Sequence, residues 1–161
     1  MKILIVGPNS FIAKVFMSEL YRETYTTLSV RDEDWEEYDY SAIDTIVYFA
    51  AIVHHPEITD EALYNKVNAE IPFAMAKKAV VQGVKKFIYI STMAVVGLGP
   101  EFGKVNVITR KTPLISNTLY GKSKTNGLWK RLSWHILSCD RKVGIVTFYA
   151  SVLDELQIFF N

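Results

Sequence analysis

Residues 2–13 read Lys2-Ile3-Leu4-Ile5-Val6-Gly7-Pro8-Asn9-Ser10-Phe11-Ile12-Ala13, and this stretch decides the fold. The apolar run before Gly7 predicts a strand buried on both faces, and a helix begins directly after the turn. Gly7 can take the positive φ of a tight turn, and Ala13 is small enough to let the helix approach the sheet. Free amides at the start of such a helix bind a pyrophosphate. The stretch therefore predicts a dinucleotide-binding turn, although an ordinary strand-to-helix turn shares several of these features.

Polar residues at two points bear on how a cofactor would bind. Ser10 stands where the fingerprint prefers a glycine, so its side chain either crowds the approach of the phosphate or adds a hydrogen bond through its hydroxyl. At the end of the second strand, an acidic residue would accept the adenosine ribose hydroxyls and a basic one would favour a 2′-phosphate. Arg31 and Asp32 lie side by side there. The sequence leaves NAD and NADP both open, and two solvated loop charges are the plain alternative.

Strand-like and helix-like stretches alternate along the rest of the chain. The runs rich in branched and aromatic residues, which predict strands, are 2–6, the weaker 26–30, 45–50, 86–90 and 143–149. The stretches that predict helices are 11–22, 61–82 and 120–137, with a kink or a fresh start at Pro72. Such alternation is typical of parallel strands joined by right-handed crossovers. It predicts an α/β fold, a Rossmann-like doubly wound parallel sheet with helices on both faces, formed as a single domain over residues 1–161, with a long loop at 98–117.

Composition excludes several classes of function. The net charge of +1 gives no electrostatic case for a nucleic-acid partner. Cys139 is the single cysteine, so the chain cannot form an internal disulfide or a cysteine-based metal site. The apolar run before Gly7 is too short for a signal peptide or a membrane span. His54 and His55 lack a third ligand nearby, so no metal site is expected. These features indicate a soluble, cytoplasmic protein with no membrane insertion.

Tyr120 and Lys124 form the sharpest motif, because a spacing of four residues puts the phenol and the ammonium on the same face of a helix. A tyrosine pKa near 10 must fall by about three before the phenol acts as a base at neutral pH, and Lys124 with a positively charged nicotinamide can supply that field. Ser91 and Thr92 end strand 86–90 at the edge where ligands of this architecture bind. By themselves, Tyr120 and Lys124 would be interpreted as helix surface, and the hydroxyls of Ser91 and Thr92 as the cap of a strand end or turn. Together, and after a phosphate turn, they predict a catalytic site.

In this order, the motifs resemble the extended short-chain dehydrogenase/reductase family, the NAD-dependent epimerases and dehydratases, over residues 1–126. The resemblance implies that the cofactor is NAD or NADP. It also implies that four features contact or support the cofactor. These are the phosphate turn, an acidic pair that faces adenine (Asp39 and Tyr40), a strand end (Phe49, Ala50 and Ala51) and a supporting asparagine (Asn68). With the two charged residues after the second strand, the candidate cofactor-binding residues are Gly7, Asn9, Ser10, Phe11, Ile12, Arg31, Asp32, Asp39, Tyr40, Phe49, Ala50, Ala51, Asn68, Tyr120 and Lys124.

The same resemblance implies that the catalytic residues are Thr92, Tyr120 and Lys124. Tyr120 would remove a proton from a sugar hydroxyl while hydride passes to the nicotinamide, Thr92 would hold the oxygen, and Lys124 would bind ribose and lower the pKa of the tyrosine. The implied substrate is a nucleotide-linked sugar. Within the family, residues 31–35 and 83–91 are most similar to epimerase-like proteins of bacterial capsule and exopolysaccharide clusters. Members often dimerise through the helices that carry the Asn68 and Tyr120 motifs, so a homodimer is expected.

The chain also departs from the family's pattern. Val6, Ser10 and Ala13 replace residues of the family's Thr-Gly-x-x-Gly-Phe-Ile-Gly turn. Asn126 and Gly127 are expected to interrupt the helix after the Tyr-x-x-x-Lys pair, because glycine there costs about 1 kcal/mol relative to alanine. Toward residue 161 the resemblance fails, and the expected C-terminal substrate domain is missing. The alternative to an active enzyme is a truncated, non-catalytic dinucleotide-binding module.

Overall fold

The computed structural model describes most of the chain. Described are residues 1–32, 34–53, 57–97, 107–109, 112–135 and 145–146, of which 128–135 and 145–146 are described by their backbone alone. His54, His55 and Cys139 lie outside these residues, and the predicted loop 98–117 lies only partly within them. No helix in the described part is long and apolar enough to cross a membrane.

Five parallel strands form one sheet in the order β2-β1-β3-β4-β5. They are β1 (Lys2–Val6), β2 (Thr24–Leu28), β3 (Thr45–Tyr48), β4 (Lys86–Ile90) and β5 (Ile145–Val146). The predictions for β1 and β4 are confirmed residue for residue, whereas β3 ends two residues early and β2 begins two residues before the predicted 26–30. β2 is an edge strand in which only Leu28 is buried, so it carries little hydrophobic pattern. Its register comes from β1, since Val6 pairs with Leu28.

The helices are α1 (Phe11–Ser18), α2 (Glu61–Asn65), α3 (Ile71–Val81) and α4 (Leu119–His135). A π-helical turn (Lys66–Glu70) joins α2 to α3, and a 3₁₀ turn (Met93–Val95) follows β4. α1 is four residues shorter than predicted. The predicted helix 61–82 is confirmed in position, but it is built from three segments.

Alternate residues of the central strands pack on opposite faces of the sheet. Leu4 of β1 belongs to a core cluster that includes Met75 of α3. Its neighbour Ile5 belongs to a second cluster that includes Ala13 of α1. Because successive side chains of a strand point to opposite faces, both faces are covered by helices. This confirms the predicted doubly wound arrangement.

Pro72 explains the π-helical turn. In an α-helix the carbonyl of Asn68 would accept a hydrogen bond from the N–H of residue 72, and proline has none. The chain widens here, and the N–H of Ile71 donates to the carbonyl of Lys66, five residues back. The predicted kink thus takes the form of a π turn that precedes the proline and releases the Asn68 carbonyl from helical hydrogen bonding.

The prediction that Asn126 and Gly127 interrupt the last helix was wrong, because α4 runs unbroken through both. A Cβ at Gly127 would lie 2.9 Å from the carbonyl oxygen of Asn68 and 2.9 Å from the hydroxyl of Tyr89. Only glycine lets α4 approach the π turn and β4 this closely. Packing gained across that contact offsets the helix propensity that glycine loses.

Candidate cofactor and active site

Gly7 lies at the end of β1, where the strand order reverses between β1 and β3. Ligands of open α/β sheets bind at this switch point. The φ of Gly7 is +82°, and a Cβ there would lie 2.6 Å from the backbone nitrogen of Ala50. Its N–H donates to the Leu28 carbonyl at 2.9 Å. Both the backbone conformation and the available space therefore require glycine, as the predicted phosphate turn demands.

Ser10 caps α1 at the turn. Its hydroxyl accepts a hydrogen bond from the N–H of Ala13 at 3.1 Å, so the hydroxyl is directed at the helix it precedes. The N–H groups of Phe11 and Ile12 have no hydrogen-bond partner among the described residues. Asn9 is exposed at the tip of the turn, and the Phe11 side chain is 81% exposed. Two helix N-terminal amides thus remain open to an anion after Ser10 has satisfied a third.

The turn after β2 carries both candidate ribose residues. Arg31 and Asp32 are exposed and lie three and four residues beyond the end of the strand. The Ser29 hydroxyl donates to the Asp32 carboxylate at 2.8 Å, and the N–H of Asp32 donates to the Ser29 carbonyl at 3.3 Å. Arg31 makes no hydrogen bond or ion pair within the described part of the chain. The acidic residue is therefore engaged by its own turn, and the basic one is available.

Asp39 and Tyr40 occupy different environments. The Asp39 carboxylate is exposed and accepts a hydrogen bond from the N–H of Ser41 at 2.9 Å, which lowers the pKa of the carboxyl. Tyr40 is fully buried, and its hydroxyl donates to the carbonyl of Trp35 at 2.7 Å. Burial raises the pKa of this phenol. The Tyr40 side chain is part of the core, so only its backbone and Asp39 are placed to meet a ligand.

The carboxyl end of β3 continues along the phosphate turn. Phe49 and Ala50 both donate their N–H groups to the carbonyl of Val6, at 2.8 and 3.1 Å. The Phe49 side chain is buried, whereas Ala50 and Ala51 are half-buried. The backbone of this segment therefore runs beside Gly7 at the switch point, and its contact with a cofactor stays a prediction.

Asn68 holds the next part of this segment. Its side-chain oxygen accepts from the N–H of Ile52 and its side-chain nitrogen donates to the carbonyl of Ile52, both at 2.9 Å. The same nitrogen donates to the hydroxyl of Ser123 on α4 at 2.9 Å. Asn68 is fully buried, so these bonds are shielded from water. It links the strand-end loop to the helix that carries Tyr120 and Lys124.

Thr92 and Tyr120 meet at the carboxyl end of β4. The Thr92 hydroxyl accepts from the N–H of Ala94 at 3.2 Å and caps the 3₁₀ turn. A hydrogen bond between the Thr92 and Tyr120 side chains lowers the tyrosine pKa, but burial raises it more, so the net direction is upward. In this structure Tyr120 is therefore protonated at neutral pH. The lowering of its pKa by Lys124 and nicotinamide remains a prediction for the cofactor-bound protein.

Lys124, on the same helix as Tyr120, is buried at the end of β4. Its side chain is 2% exposed, and its Nζ donates to the carbonyl of Ile90 at 3.0 Å. Burial lowers the pKa of the ammonium to about 7. Two of its three N–H bonds find no acceptor among the described residues. A lysine in this state can change protonation near neutral pH and has donors left for a ligand.

Two further residues shape the site: Ser91, which the sequence predicts beside Thr92 at the ligand-binding edge, and Gly121, whose contacts the sequence does not predict. Ser91 is 5% exposed, and its hydroxyl is the one buried side-chain polar atom in the described part that lacks a hydrogen-bond partner. A Cβ at Gly121 would overlap the Ser116 hydroxyl and the Ala94 carbonyl, so glycine lets the start of α4 reach the segment after β4. The one sign of this role in the sequence is the position of Gly121 inside the Tyr-x-x-x-Lys motif. For Ser91, the sequence predicts the position of the hydroxyl at this edge, but not its burial or its lack of a hydrogen-bond partner.

The described residues contain no group of three or more His, Cys, Asp or Glu side chains that could hold a metal ion. The side chain of His135 is not among those described. The structure thus brings together Gly7, Ala50, Asn68, Thr92, Tyr120 and Lys124 along the carboxyl edge of the sheet. It sets the Tyr40 side chain apart in the core.

A sequence profile of the NAD dependent epimerase/dehydratase family matches residues 3–138. Among solved structures, the chain is similar to UDP-glucuronic acid 4-epimerase from Bacillus cereus in complex with NAD, at 21% identity and a TM-score of 0.70, with 91% of this chain and 55% of that chain covered. It is similar to the dTDP-glucose 4,6-dehydratase DesIV from Streptomyces venezuelae with NAD and TYD bound, at 20% identity, a TM-score of 0.73 and coverage of 91% and 55%. RMD from Pseudomonas aeruginosa complexed with NADPH aligns at 19% identity, a TM-score of 0.68 and coverage of 89% and 52%. No curated protein matches the chain.

The TM-scores are well above those of unrelated folds, so these likenesses show the fold. Because the identity is low, they show the fold alone. The Rossmann-like α/β prediction is confirmed. The chain spans about half the length of each of these three solved structures.

Proposed function

Because the chain belongs to the NAD dependent epimerase/dehydratase family, we propose that it binds NAD or NADP and promotes hydride transfer at a hydroxyl-bearing carbon of a nucleotide-linked sugar. The observation that carries the proposal is the meeting of Thr92 and Tyr120 above a buried Lys124, at the sheet edge that also carries the phosphate turn. The UDP-glucuronic acid epimerase and the dTDP-glucose dehydratase, both solved with NAD, support this substrate class, and with RMD, solved with NADPH, they support the cofactor class.

The residues at this edge fit a dinucleotide. Gly7 takes the positive φ of the tight turn, and its lack of a Cβ lets this turn lie against Ala50 at the switch point. The N–H groups of Phe11 and Ile12 are unpartnered in the described part and suit its negative charge. At the other end of the edge, the orphan hydroxyl of Ser91 and the unused N–H bonds of Lys124 need partners, and ribose hydroxyls and a carboxamide can provide them.

Thr92, Tyr120 and Lys124 take distinct roles in this proposal. The nicotinamide, when bound, supplies the site that accepts and returns hydride. Tyr120 is protonated in this structure, so it can donate a proton to a sugar oxygen, and it can take one once a nearby positive charge lowers its pKa. Thr92 orients the same oxygen through its hydroxyl. Lys124 binds ribose, and its ammonium supplies part of the positive field.

The choice between the two cofactors rests on the turn after β2. The Asp32 carboxylate already accepts the Ser29 hydroxyl, and Arg31 is uncommitted among the described residues. A free guanidinium pairs well with a phosphate, which favours NADP. We expect tighter binding of NADP than of NAD, and Arg31→Ser should remove the difference.

The proposal is tested first by binding and then by turnover. Calorimetric titration of the native chain with NAD and NADP measures affinity, and incubation with UDP- and dTDP-sugars detects conversion. Tyr120→Phe should keep cofactor affinity and lower turnover by about 10²- to 10⁴-fold, the range of general acid–base catalysis. Tyr21→Phe is the matched control, because this tyrosine is 82% exposed. Equal turnover by the native chain and Tyr120→Phe would contradict the catalytic assignment.

A second candidate function is a non-catalytic dinucleotide-binding module. The phosphate turn favours it, because Gly7 and the N–H groups of Phe11 and Ile12 account for dinucleotide binding without any group at the β4 end. Cofactor binding without conversion of any sugar nucleotide would support this reading. A homodimer, a cytoplasmic location and a role in exopolysaccharide biosynthesis stay predictions, and sedimentation of the purified chain tests the first of them.

A further inference from the structure

The buried ammonium of Lys124 has few polar partners. It donates to the carbonyl of Ile90, and it forms no ion pair with a carboxylate of the described residues. A charge removed from water is costly unless other groups compensate for the lost hydration. One neutral carbonyl replaces only part of the hydration of an ammonium, so the other neighbours of the ammonium matter.

The aromatic ring of Tyr89 is one of these neighbours. The Nζ of Lys124 is 4.5 Å from the ring centroid, within the range of a cation–π interaction. Tyr89 belongs to β4, directly before the residue whose carbonyl accepts from Lys124. The strand therefore holds the ammonium with two consecutive residues, by a carbonyl and by a ring face.

The ring is itself fixed at its far end. The Tyr89 hydroxyl donates to the carbonyl of Asn68, the carbonyl that Pro72 leaves without a helical donor. A Cβ at Gly127 would lie 2.9 Å from both of these oxygen atoms, so α4 closes tightly over this hydrogen bond. The proline, the glycine and the asparagine carbonyl together set the position of one phenol.

We propose that Tyr89 is a positioning residue for Lys124, in which the ring face holds the ammonium at the carboxyl end of β4 and the hydroxyl, bound to the Asn68 carbonyl, holds the ring. The inference rests on the proposed function, in which Lys124 meets the cofactor. It assigns separate tasks to two parts of one side chain. The ring acts on the charge of Lys124, and the hydroxyl acts on the orientation of the ring.

Among the described residues, the titratable groups other than Lys124 that act on Tyr89 are phenols. Tyr48 of β3 has its ring centroid 6.1 Å from that of Tyr89, and Tyr120 interacts with Tyr89 from α4. Burial raises the pKa of all three tyrosines. They stay neutral over the pH range in which Lys124 titrates, so a change in its titration can be assigned to the ring.

The test compares three substitutions by the pH dependence of urea unfolding, a measurement that needs no cofactor. Tyr89→Leu removes the ring and the hydroxyl, and Tyr89→Phe removes the hydroxyl alone. Phe87→Leu is the matched control: this ring is buried on the same face of β4 and packs on Tyr48, with centroids 6.2 Å apart. All three should lower stability. Tyr89→Leu should shift the Lys124 midpoint downward by about one pH unit. Tyr89→Phe should shift it in the same direction by a smaller amount, because the ring stays but loses the hydrogen bond that orients it, and Phe87→Leu should not shift it.

A double-mutant cycle isolates the effect. In a Lys124→Met background, the additional pH dependence caused by Tyr89→Leu should vanish, because the titrating group is absent. Parallel stability curves for Tyr89→Leu and Phe87→Leu would overturn the proposal. If Tyr89→Leu does not fold, Tyr89→Met takes its place, since an unbranched thioether fills space without a ring. If the native chain binds neither NAD nor NADP, the proposed function is refuted. The unfolding curves would still decide the role of Tyr89.

Discussion

The phosphate turn after β1 presents backbone amides to a ligand, whereas the carboxyl end of β4 presents buried side chains. At the first, Gly7 and the amides of Phe11 and Ile12 form the surface, and the Ser10 side chain is occupied in capping α1. At the second, Tyr120 and Lys124 carry groups whose pKa values burial moves in opposite directions, upward for the phenol and downward for the ammonium.

The difference shows how each region tolerates change. A backbone surface depends on local conformation and on the space around one glycine, so its residues can vary wherever those two conditions hold. A buried charged side chain depends on every group that replaces water around it. The β4 end should therefore respond to pH, and the phosphate turn should respond to side-chain volume.

The largest effect is expected for Lys124→Met. Burial lowers the pKa of Lys124 from 10.5 to about 7, so between these values the unfolded chain binds more protons than the folded one. Stability of the native chain should then rise with pH across this interval, by about 5 kcal/mol in total at about 1.4 kcal/mol per pH unit. Met removes the titrating group. The variant should be more stable than the native chain at pH 6, and its advantage should shrink as the pH approaches 10.

Urea unfolding at a series of pH values measures this difference. Lys122→Met is the control, because Lys122 is exposed two residues away on the same helix, and its stability curve should run parallel to that of the native chain. A Lys124→Met curve that is also parallel would mean that the ammonium is not destabilised by burial. The stability contributed by the β4 end would then not depend on pH, and this expected difference from the phosphate turn would be wrong.

The next effect concerns the space at the phosphate turn. Gly7 and Gly83 both have positive φ, +82° and +88°, but only a Cβ at Gly7 would meet other atoms, whereas none lies within 4 Å at Gly83. Gly83→Ala should cost about 1 to 2 kcal/mol for the left-handed backbone, and Gly7→Ala about 3 kcal/mol or more because it adds a steric overlap. Thermal unfolding of the two variants provides the comparison. Equal losses would show that β3 can move away from the turn.

The sequence located features that depend on local pattern. Continuous apolar runs placed β1 and β4 to the residue, and Gly7, Tyr120 and Lys124 stood out through spacing and context. β2 was misplaced because an edge strand exposed on most of its length has no clear hydrophobic pattern.

Features that depend on distant contacts were missed or misread. The low helix propensity of Gly127 predicts a break in the helix. The helix instead continues, because glycine allows its close contact with Asn68 and Tyr89. For Tyr89, the sequence predicts a place in strand 86–90 but gives no sign of its contacts with Asn68 and Lys124. Its hydrogen bond exists because Pro72, seventeen residues earlier, frees a carbonyl that the fold then brings alongside β4. Only the packed structure shows that these residues belong together.

The smallest effect separates the two properties of Ser10. Its hydroxyl caps α1 by accepting from the N–H of Ala13, and its Cβ stands where a ligand's pyrophosphate would approach. Ser10→Ala should cost about 1 kcal/mol of stability through the lost cap and leave affinity for NAD or NADP nearly unchanged, since the Cβ remains. Ser10→Gly should cost only a few tenths of a kcal/mol and bind the cofactor several-fold more tightly, because the approach is opened and the Ala13 amide is released. Calorimetric titration and urea unfolding of both variants measure the two quantities. Weaker binding by Ser10→Gly would show that the serine hydroxyl itself contacts the cofactor, and the phosphate turn would then depend on a side chain as the β4 end does.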